Sequence, residues 1–176
     1  GEVGRPNPYF NLTLARDLKR RKARERERLF VSEGVRAVEE LLRSSLTIRG
    51  ALVAPQLAEA PRGEAVRAAL RARGVAIEEV PGKDFGSAAE TDSPQGVVAI
   101  AEIPTRSLGT LPQDWRGVSL VLDGVQDPGN VGTILRTAAA LGAACVVALP
   151  GTVDLWNAKV VRSGMGAHFR HLSFGC

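Results

Sequence analysis

The sequence has few cysteines and no long apolar run, and each shortage excludes a class of protein. Cys145 and Cys176 stand far apart and form no CxxC pair, so they provide neither a disulfide framework nor a zinc set. A reducing cytoplasm is therefore the expected compartment. No run reaches the roughly 18 to 20 apolar residues that cross a bilayer, and no basic and apolar leader begins the chain. We expect neither membrane insertion nor secretion.

Aromatic residues are also scarce, at 5% of the chain, which disfavours a base-stacking platform for single-stranded nucleic acid. What is present is ordinary for a globular protein: 44% of the residues are hydrophobic and 24% are charged. A length of 176 residues fits one large domain or two small ones.

Positive charge is concentrated in one segment near the N-terminus. Residues 16–28 hold eight basic and three acidic side chains, whereas the other 163 residues hold 15 basic and 16 acidic ones. A clustered cationic patch binds phosphates by releasing counterions, so the segment predicts contact with a nucleic acid. The alternative is a solvated helix face whose interleaved acids serve solubility. The candidate contacts are Lys19, Arg20, Arg21, Lys22, Arg24, Arg28 and, at the start of the helix predicted over 35–43, Arg36.

Helical and strand periodicities alternate over the first hundred residues. The patterns predict helices over 12–22, 35–43 and 64–73, a short helix ending near 87–90, and strands over 29–32, 48–53, 75–80 and 96–101. We interpret residues 1–103 as a small α/β domain. Residues 104–117 show no period and are interrupted by Thr, Ser, Gly and Pro, so they predict a linker.

The remaining residues, 118–176, predict a second domain with parallel strands. Strands over 118–122 and 144–149 alternate with helices, the first of which carries an apolar stripe formed by Val131, Ile134, Leu135, Ala138 and Leu141. A second helix is expected over 157–163, and a further strand begins near 171–174. Two strands and two helices cannot cover both faces of a parallel sheet, so the unit is expected to be partly open.

A polar loop, residues 125–130, opens directly into the first of these helices, an arrangement that positions ligands or collects anions. Gly129 and Gly132 are not followed by Lys-Ser or Lys-Thr, and together with Gly124 they do not make GxGxxG. A phosphate loop and a nucleotide-binding oxidoreductase are therefore disfavoured. Arg136 points away from the apolar stripe, where a guanidinium can hold a phosphate or carboxylate with two hydrogen bonds. Asn130, at or just before the first turn, either caps the helix or orients Arg136 or a ligand.

The residues of this loop and helix carry a resemblance to a known family. Residues 122–138, LDGVQDPGNVGTILRTA, resemble the first signature motif of the SpoU-type (TrmH-like) RNA 2′-O-ribose methyltransferases of the SPOUT superfamily. Residues 161–169, VRSGMGAHF, resemble the segment that follows it in the same family. The stretches 28–36 and 93–98, RLFVSEGVR and SPQGVV, are similar to the substrate-binding domain that often precedes the catalytic one.

The resemblance implies methyl transfer from S-adenosylmethionine to a ribose 2′-hydroxyl of structured RNA, with rRNA favoured over tRNA. It also implies a trefoil-knotted α/β domain that works as a homodimer. Asn130 and Arg136 match the Asn and Arg of the first motif, and that Arg is usually proposed to activate the 2′-hydroxyl. A guanidinium is a poor base, so Arg136 either loses its proton through coupling to RNA binding or acts as a clamp on a phosphate. Ser163 is a candidate for a role on the substrate side.

The sequence departs from the family where the second and third motifs should follow. These motifs form the knot and most of the cofactor pocket, and they are expected beyond Cys176, so no cofactor-binding residue is assigned. We expect these 176 residues to be inactive alone, and a non-catalytic RNA-binding module is the alternative function. His168 and His171 are expected at a solvent edge or in packing, with no metal site. Trp156 is expected in the core, and Glu33 is a candidate cap for the helix after it.

Overall fold

Two β-sheets organise residues 10–176, the part of the chain that the computed structural model describes. The first sheet is mixed and has four strands in the order β1-β4-β2-β3: β1 (Leu29–Glu33), β2 (Ile48–Val53), β3 (Ile77–Glu79) and β4 (Val97–Glu102). The second sheet is parallel and has three strands in the order β5-β6-β7: β5 (Ser119–Leu122), β6 (Cys145–Ala148) and β7 (Ser173–Gly175). We call residues 10–103 the N-terminal unit and residues 118–176 the C-terminal unit.

Eight α-helices surround these sheets in the described residues. They are α1 (Phe10–Asp17), α2 (Arg21–Glu27), α3 (Val35–Arg43), α4 (Gly63–Ala72), α5 (Gly82–Ala88), α6 (Pro128–Ala140), α7 (Ala158–Ser163) and α8 (Ala167–Arg170). Short 3-10 helices cover Pro55–Glu59 and Leu108–Thr110. The predicted α/β class and the parallel second sheet are confirmed. Residues 1–9 of the predicted first domain lie outside the described residues.

Side chains alternate along each strand of the first sheet, so the sheet presents two faces. Helices cover both of them. On β4, Val98 and Ile100 pack into a cluster with residues of α1 and α5. Val97 and Ala99 point to the other face and join the core formed with α3 and α4. The N-terminal unit is thus a three-layer sandwich, which buries its central strands.

The two units share one continuous core through Phe30, on the edge strand β1. The ring centroid of Phe30 lies 4.6 Å from that of Trp156 and 5.5 Å from that of Phe169. Trp156 is buried, as expected from its sequence context, and its ring also packs against His168. Since such aromatic clusters bury a large apolar area, the junction holds the units in a fixed orientation.

Arg24 reinforces this junction, and its predicted role as an RNA contact is wrong. Its side chain is only 4% exposed, and its Nε donates to Asp154 Oδ2 at 2.9 Å. Its Nη1 donates to the carbonyl oxygens of Leu18 and Lys19 at 2.9 and 3.1 Å. A buried guanidinium needs such acceptors, so Arg24 serves the fold.

The same contacts explain why the helix predicted over residues 12–22 is wrong. The chain breaks between α1 and α2, and Arg20 adopts an extended backbone conformation at the start of α2. At this break, Arg24 donates hydrogen bonds to the carbonyl groups of Leu18 and Lys19. The partner that fixes Arg24, Asp154, is 130 residues away in the sequence.

Arg106, in the predicted linker, holds the end of α8. Its Nη1 donates to the carbonyl oxygens of His168 and His171 at 2.7 and 3.0 Å, and its Nη2 donates to that of Phe169 at 2.9 Å. The final carbonyl groups of a helix have no partner within the helix. Arg106 supplies those partners, so the connecting segment is docked on the C-terminal unit at this point.

His168 is a packing residue whose pKa is strongly lowered by burial. It is fully buried, and its Nε2 lies 2.9 Å from the Leu155 carbonyl oxygen, which makes Nε2 the protonated nitrogen. Nδ1 has no hydrogen-bond partner among the described residues. Burial lowers the pKa of His168 to about 4. No group of three potential metal ligands occurs within residues 10–176.

The second sheet is less covered than the first, and Leu141, the last residue of the predicted apolar stripe, is exposed. Leu141 is 82% exposed, and Val118, which lines the same groove, is also exposed. Because β5 pairs with a neighbour on one side only, its outer side and the end of α6 border an apolar groove of about 780 Å³. The expectation of a partly open unit agrees with this groove. In the described residues, no helix combines the length and apolarity needed to span a membrane.

Candidate functional site

The site begins where β5 ends and the chain turns into α6. Asp127 caps the helix: its Oδ1 accepts a hydrogen bond from the Asn130 backbone N–H at 2.9 Å. Pro128 follows in the first helical position, where its missing N–H carries no cost. The capping role considered for Asn130 is therefore wrong. The Asn130 side chain is exposed and has no hydrogen-bond partner within residues 10–176, which leaves its amide available to a ligand.

Close packing of α7 against α6 fixes the next part of the site. A Cβ atom added at Gly132 would overlap Ser163 Oγ and lie 2.6 Å from the Gly164 backbone nitrogen. Glycine therefore permits this approach. Ser163 Oγ lies 2.8 Å from the Lys159 carbonyl oxygen and 3.0 Å from that of Pro128. The hydroxyl is thus engaged at the helix contact, and an RNA contact by Ser163 stays a prediction.

Arg136 lies on the exposed side of α6, as its position relative to the apolar stripe predicts. Its Nη1 donates to the Met165 sulfur at 2.9 Å. Met165 lies in the turn between α7 and α8 and has a φ of 52°. A thioether is a weak acceptor, so within residues 10–176 the Arg136 guanidinium has no strong partner. It is free to hold an anion.

Met165 also lines a cleft of about 300 Å³ between the two units, which we call the Met165 cleft. One wall comes from the end of β1, the start of α3 and residues 91–95, and the other from Arg162 and Met165. Arg36, a predicted RNA contact, is exposed in the first wall. The fold thus brings Arg36 into the cleft whose Met165 wall contacts Arg136.

The first wall of the cleft is held by two side chains. Glu33 accepts hydrogen bonds from the Glu90 N–H at 3.0 Å and the Thr91 hydroxyl at 2.9 Å. Gln95 Oε1 accepts one from the Val35 N–H at 2.9 Å. The prediction that Glu33 caps α3 is therefore wrong, because Gln95 performs that task. Sequence reasoning missed Gln95 and Arg162 as site residues, although both belong to the segments that carry the family resemblance.

The basic segment, residues 16–28, lies outside the Met165 cleft. Lys19, Arg20, Arg21, Lys22 and Arg28 are exposed, but none of them lines the Met165 cleft. Arg20 pairs with Asp17 at 3.2 Å and Arg21 with Glu25 at 3.0 Å, both in solvent. Exposed pairs of this kind are weak. Arg28 precedes β1 and Arg36 follows it, so the segment and the cleft are separated by the length of this strand, roughly 17 Å.

Comparison with known proteins covers both units. Residues 13–99 match the MRM3-like substrate binding domain, and residues 117–173 match the SpoU rRNA Methylase family. A relative from Bacillus subtilis, "23S rRNA (guanosine(2553)-2'-O)-methyltransferase RlmP", is 34% identical over 149 residues, which are 85% of this chain and 55% of that protein. The Homo sapiens protein "rRNA methyltransferase 3, mitochondrial" is 40% identical over 102 residues, which are 56% of this chain and 24% of that protein.

The fold agrees with these matches. The crystal structure of an AdoMet bound rRNA methyltransferase from Sinorhizobium meliloti superposes with a TM-score of 0.77 at 31% identity, over 94% of this chain and 62% of that one. The sheets, the capped helix and this superposition define an α/β protein of the TrmH-like methyltransferase class. Within that class, the chain belongs to the SpoU family and carries the MRM3-like domain ahead of the SpoU domain. The chain spans little more than half the length of the Bacillus subtilis relative.

Proposed function

We propose that the protein carrying this chain is an S-adenosylmethionine-dependent RNA 2′-O-ribose methyltransferase that acts on structured rRNA. The observation that carries the proposal is Arg136, whose exposed guanidinium has only a thioether as a partner within residues 10–176. It projects from α6, and residues 122–138, which run from the end of β5 into this helix, resemble the first motif of the family. The names of the relatives, which are rRNA methyltransferases, support rRNA over tRNA as the substrate.

The two units would divide the work. Residues 1–103 would bind RNA, residues 104–117 would connect, and residues 118–176 would form the front of the methyltransferase domain. The exposed basic side chains support RNA binding by the first unit; they are Lys19, Arg20, Arg21, Lys22, Arg28 and Arg36. Phosphate contacts by such residues position RNA without reading its sequence.

Arg136 would act as a clamp. A guanidinium holding a phosphate next to the target ribose fixes the geometry of attack and stabilises the negative charge that develops on the 2′-oxygen. The Met165 sulfur cannot take a proton from Arg136, which supports a clamp over a base. Asn130, whose side-chain amide is exposed in the first turn of α6, would hydrogen-bond the ribose or a phosphate beside it.

The carboxyl edge of the second sheet fits one side of a nucleoside cofactor. Gly124 and Gly151 have positive φ angles of 66° and 95°, and a Cβ atom at Gly151 would lie 3.8 Å from Gly124 Cα. The two loops thus meet through backbone and leave an open edge of the kind at which α/β sheets bind ligands. When bound, S-adenosylmethionine supplies the methyl group. The rest of its pocket, the knot and the homodimer rest on the family resemblance, and a cytoplasmic location rests on the widely spaced cysteines Cys145 and Cys176. We expect no turnover from these 176 residues alone.

The test is methyl transfer by the full-length protein. Tritium from methyl-labelled S-adenosylmethionine should appear in rRNA, and a primer-extension stop should map to one nucleotide. Resistance of that site to alkaline cleavage would identify the 2′-oxygen as the acceptor. RNA binding without transfer of label would overturn the proposal in favour of a non-catalytic RNA-binding module.

A further inference from the structure

The Met165 cleft has no role in the function proposed above, yet residues of both units line it. Its volume of about 300 Å³ lies at the lower end of the range of ligand pockets, roughly 300 to 1,000 Å³. It suits one nucleotide better than a larger ligand. Since the Met165 sulfur contacts Arg136 at 2.9 Å, one end of the cleft lies next to the proposed catalytic guanidinium.

The charged side chains of the Met165 cleft that form neither an ion pair nor a hydrogen bond within residues 10–176 are positive. Arg36 and Arg162 are both exposed in its walls, and neither has an ion pair within residues 10–176. Glu33 is the acid in the lining, and its two oxygens already accept hydrogen bonds from the Glu90 N–H and the Thr91 hydroxyl. A phosphate entering the cleft would therefore meet two guanidinium groups.

The cleft also presents unused hydrogen-bond donors. Because the Val35 N–H requires an acceptor, Gln95 Oε1 must face it, and the amide NH2 group of this cleft-lining side chain is left as a donor. This NH2 group has no partner within residues 10–176, and neither has the exposed Ser93 hydroxyl. Buried Ala37 and the Met165 side chain add apolar surface.

We propose that the Met165 cleft holds one unstacked nucleotide of the RNA substrate, with a phosphate at Arg36 and Arg162 and an acceptor edge of the base at Gln95. Sequence-specific recognition of RNA mainly uses such splayed nucleotides, whose base edges are free to form hydrogen bonds. This inference rests on the proposed function and adds specificity residues to it. The bound nucleotide is either the one whose ribose is methylated at Arg136 or its immediate neighbour.

The first experiment measures methylation by variants of the full-length protein. Gln95→Glu keeps an oxygen for the Val35 N–H but replaces the NH2 donor with a carboxylate oxygen. We expect at least a tenfold loss of kcat/KM for RNA, with an unchanged melting temperature and unchanged affinity for S-adenosylmethionine. Arg36→Ala should weaken RNA binding about tenfold and lower the slope of log affinity against log salt by about one. Arg71→Ala, an exposed arginine on α4, is the matched control and should change neither quantity.

The second experiment tests occupancy without relying on catalysis. In a Cys176→Ser background, the thiol of Ser93→Cys should be alkylated at least tenfold more slowly when RNA is bound, as read by peptide mass spectrometry. The matched control is Ser45→Cys, an exposed position after α3, which should keep its rate. A free mononucleotide at the same nucleotide concentration should not protect Ser93→Cys. Equal protection by it would overturn the assignment to RNA.

The outcomes separate the inference from the function on which it rests. If the wild-type protein transfers no methyl group but RNA still protects Ser93→Cys, the proposed function fails and the nucleotide site stands. If the wild-type protein methylates RNA while Gln95→Glu and Arg36→Ala keep full kcat/KM and Ser93→Cys is unprotected, the nucleotide site is refuted and the function stands.

Discussion

Two arginines show how differently this chain uses the same side chain in two regions. Arg24, at the junction of the units, is 4% exposed, and its guanidinium donates to a carboxylate and two backbone carbonyl groups. Arg136, on α6, is exposed and meets only the Met165 sulfur among the described residues. A guanidinium whose acceptors are all supplied by the protein stabilises the fold, whereas one without strong acceptors is available to a ligand. The comparison predicts that Arg136→Ala lowers activity and leaves stability almost unchanged, whereas Arg24→Ala lowers stability.

The largest effect is expected at Arg136. Arg136→Ala in the full-length protein should lower kcat at least a thousandfold, because it removes the donors that meet charge developing in the transition state. RNA binding should stay mostly intact, with a loss of affinity no larger than the roughly tenfold expected for one phosphate contact, and the melting temperature should stay within a few degrees of the wild-type value. Single-turnover methylation and filter binding measure the two quantities. Retained turnover would show that Arg136 is not catalytic and would refute the contrast drawn between Arg24 and Arg136.

Arg24→Ala should instead act on stability. The substitution leaves Asp154 without its partner and frees two carbonyl groups, and the loss of one member of a buried pair costs about 3 to 5 kcal/mol. Chemical denaturation measures this change in the free energy of unfolding. Arg24→Lys should recover part of it. If Arg24→Ala keeps wild-type stability and loses RNA affinity instead, the burial of Arg24 is contradicted.

The junction also predicts a pH dependence, through His168. Its pKa is lowered to about 4 in the folded protein, from 6.5 in the unfolded chain, because burial penalises the charged ring and Arg106 adds a smaller repulsion. The unfolded state therefore binds more protons between these values. Stability should be full above pH 6.5 and fall as the pH drops toward 4, by on the order of 3 kcal/mol. Denaturation across this range measures the slope, and His168→Gln should flatten it.

The smallest effect is expected at the cap of α6. Asp127→Ala removes the acceptor for the Asn130 N–H and should cost about 1 kcal/mol. Asp127→Asn should restore most of this loss, and thermal unfolding measures both. A loss of activity much larger than the loss of stability would mean that Asp127 also touches the substrate, and it would move the border of the site toward the loop before α6.

The sequence predicted the elements whose boundaries are set locally. The helix over 35–43 matches α3 residue for residue, because it has a clear apolar period and is bounded by Gly34 and Ser44. The strand over 48–53 also matches β2, which ends in a short run of buried apolar residues. The exposure of Arg136 followed in the same way from the apolar stripe of its helix. The break between α1 and α2 was missed because its cause, the contact of Arg24 with Asp154, joins residues 130 positions apart.

The Met165 cleft lay beyond sequence reasoning for the same physical reason. Its walls come from segments near residues 33–37, 91–95 and 162–165, and no periodicity relates them. The resemblance marked each segment as part of the family pattern, but it did not show that they meet. The exposure of Leu141 could not be read from the stripe either, because a helical period shows which residues share a face and not whether another element covers that face.

The docking of Arg106 affects what happens when a protease cleaves the segment that connects the two units. The backbone between the 3-10 helix at Leu108–Thr110 and residue 116 is largely exposed, while Arg106 stays anchored to the end of α8. Limited proteolysis within this stretch should therefore yield two fragments that stay together on a sizing column, since Phe30 and Arg24 still bind the pieces. Only denaturant would release them.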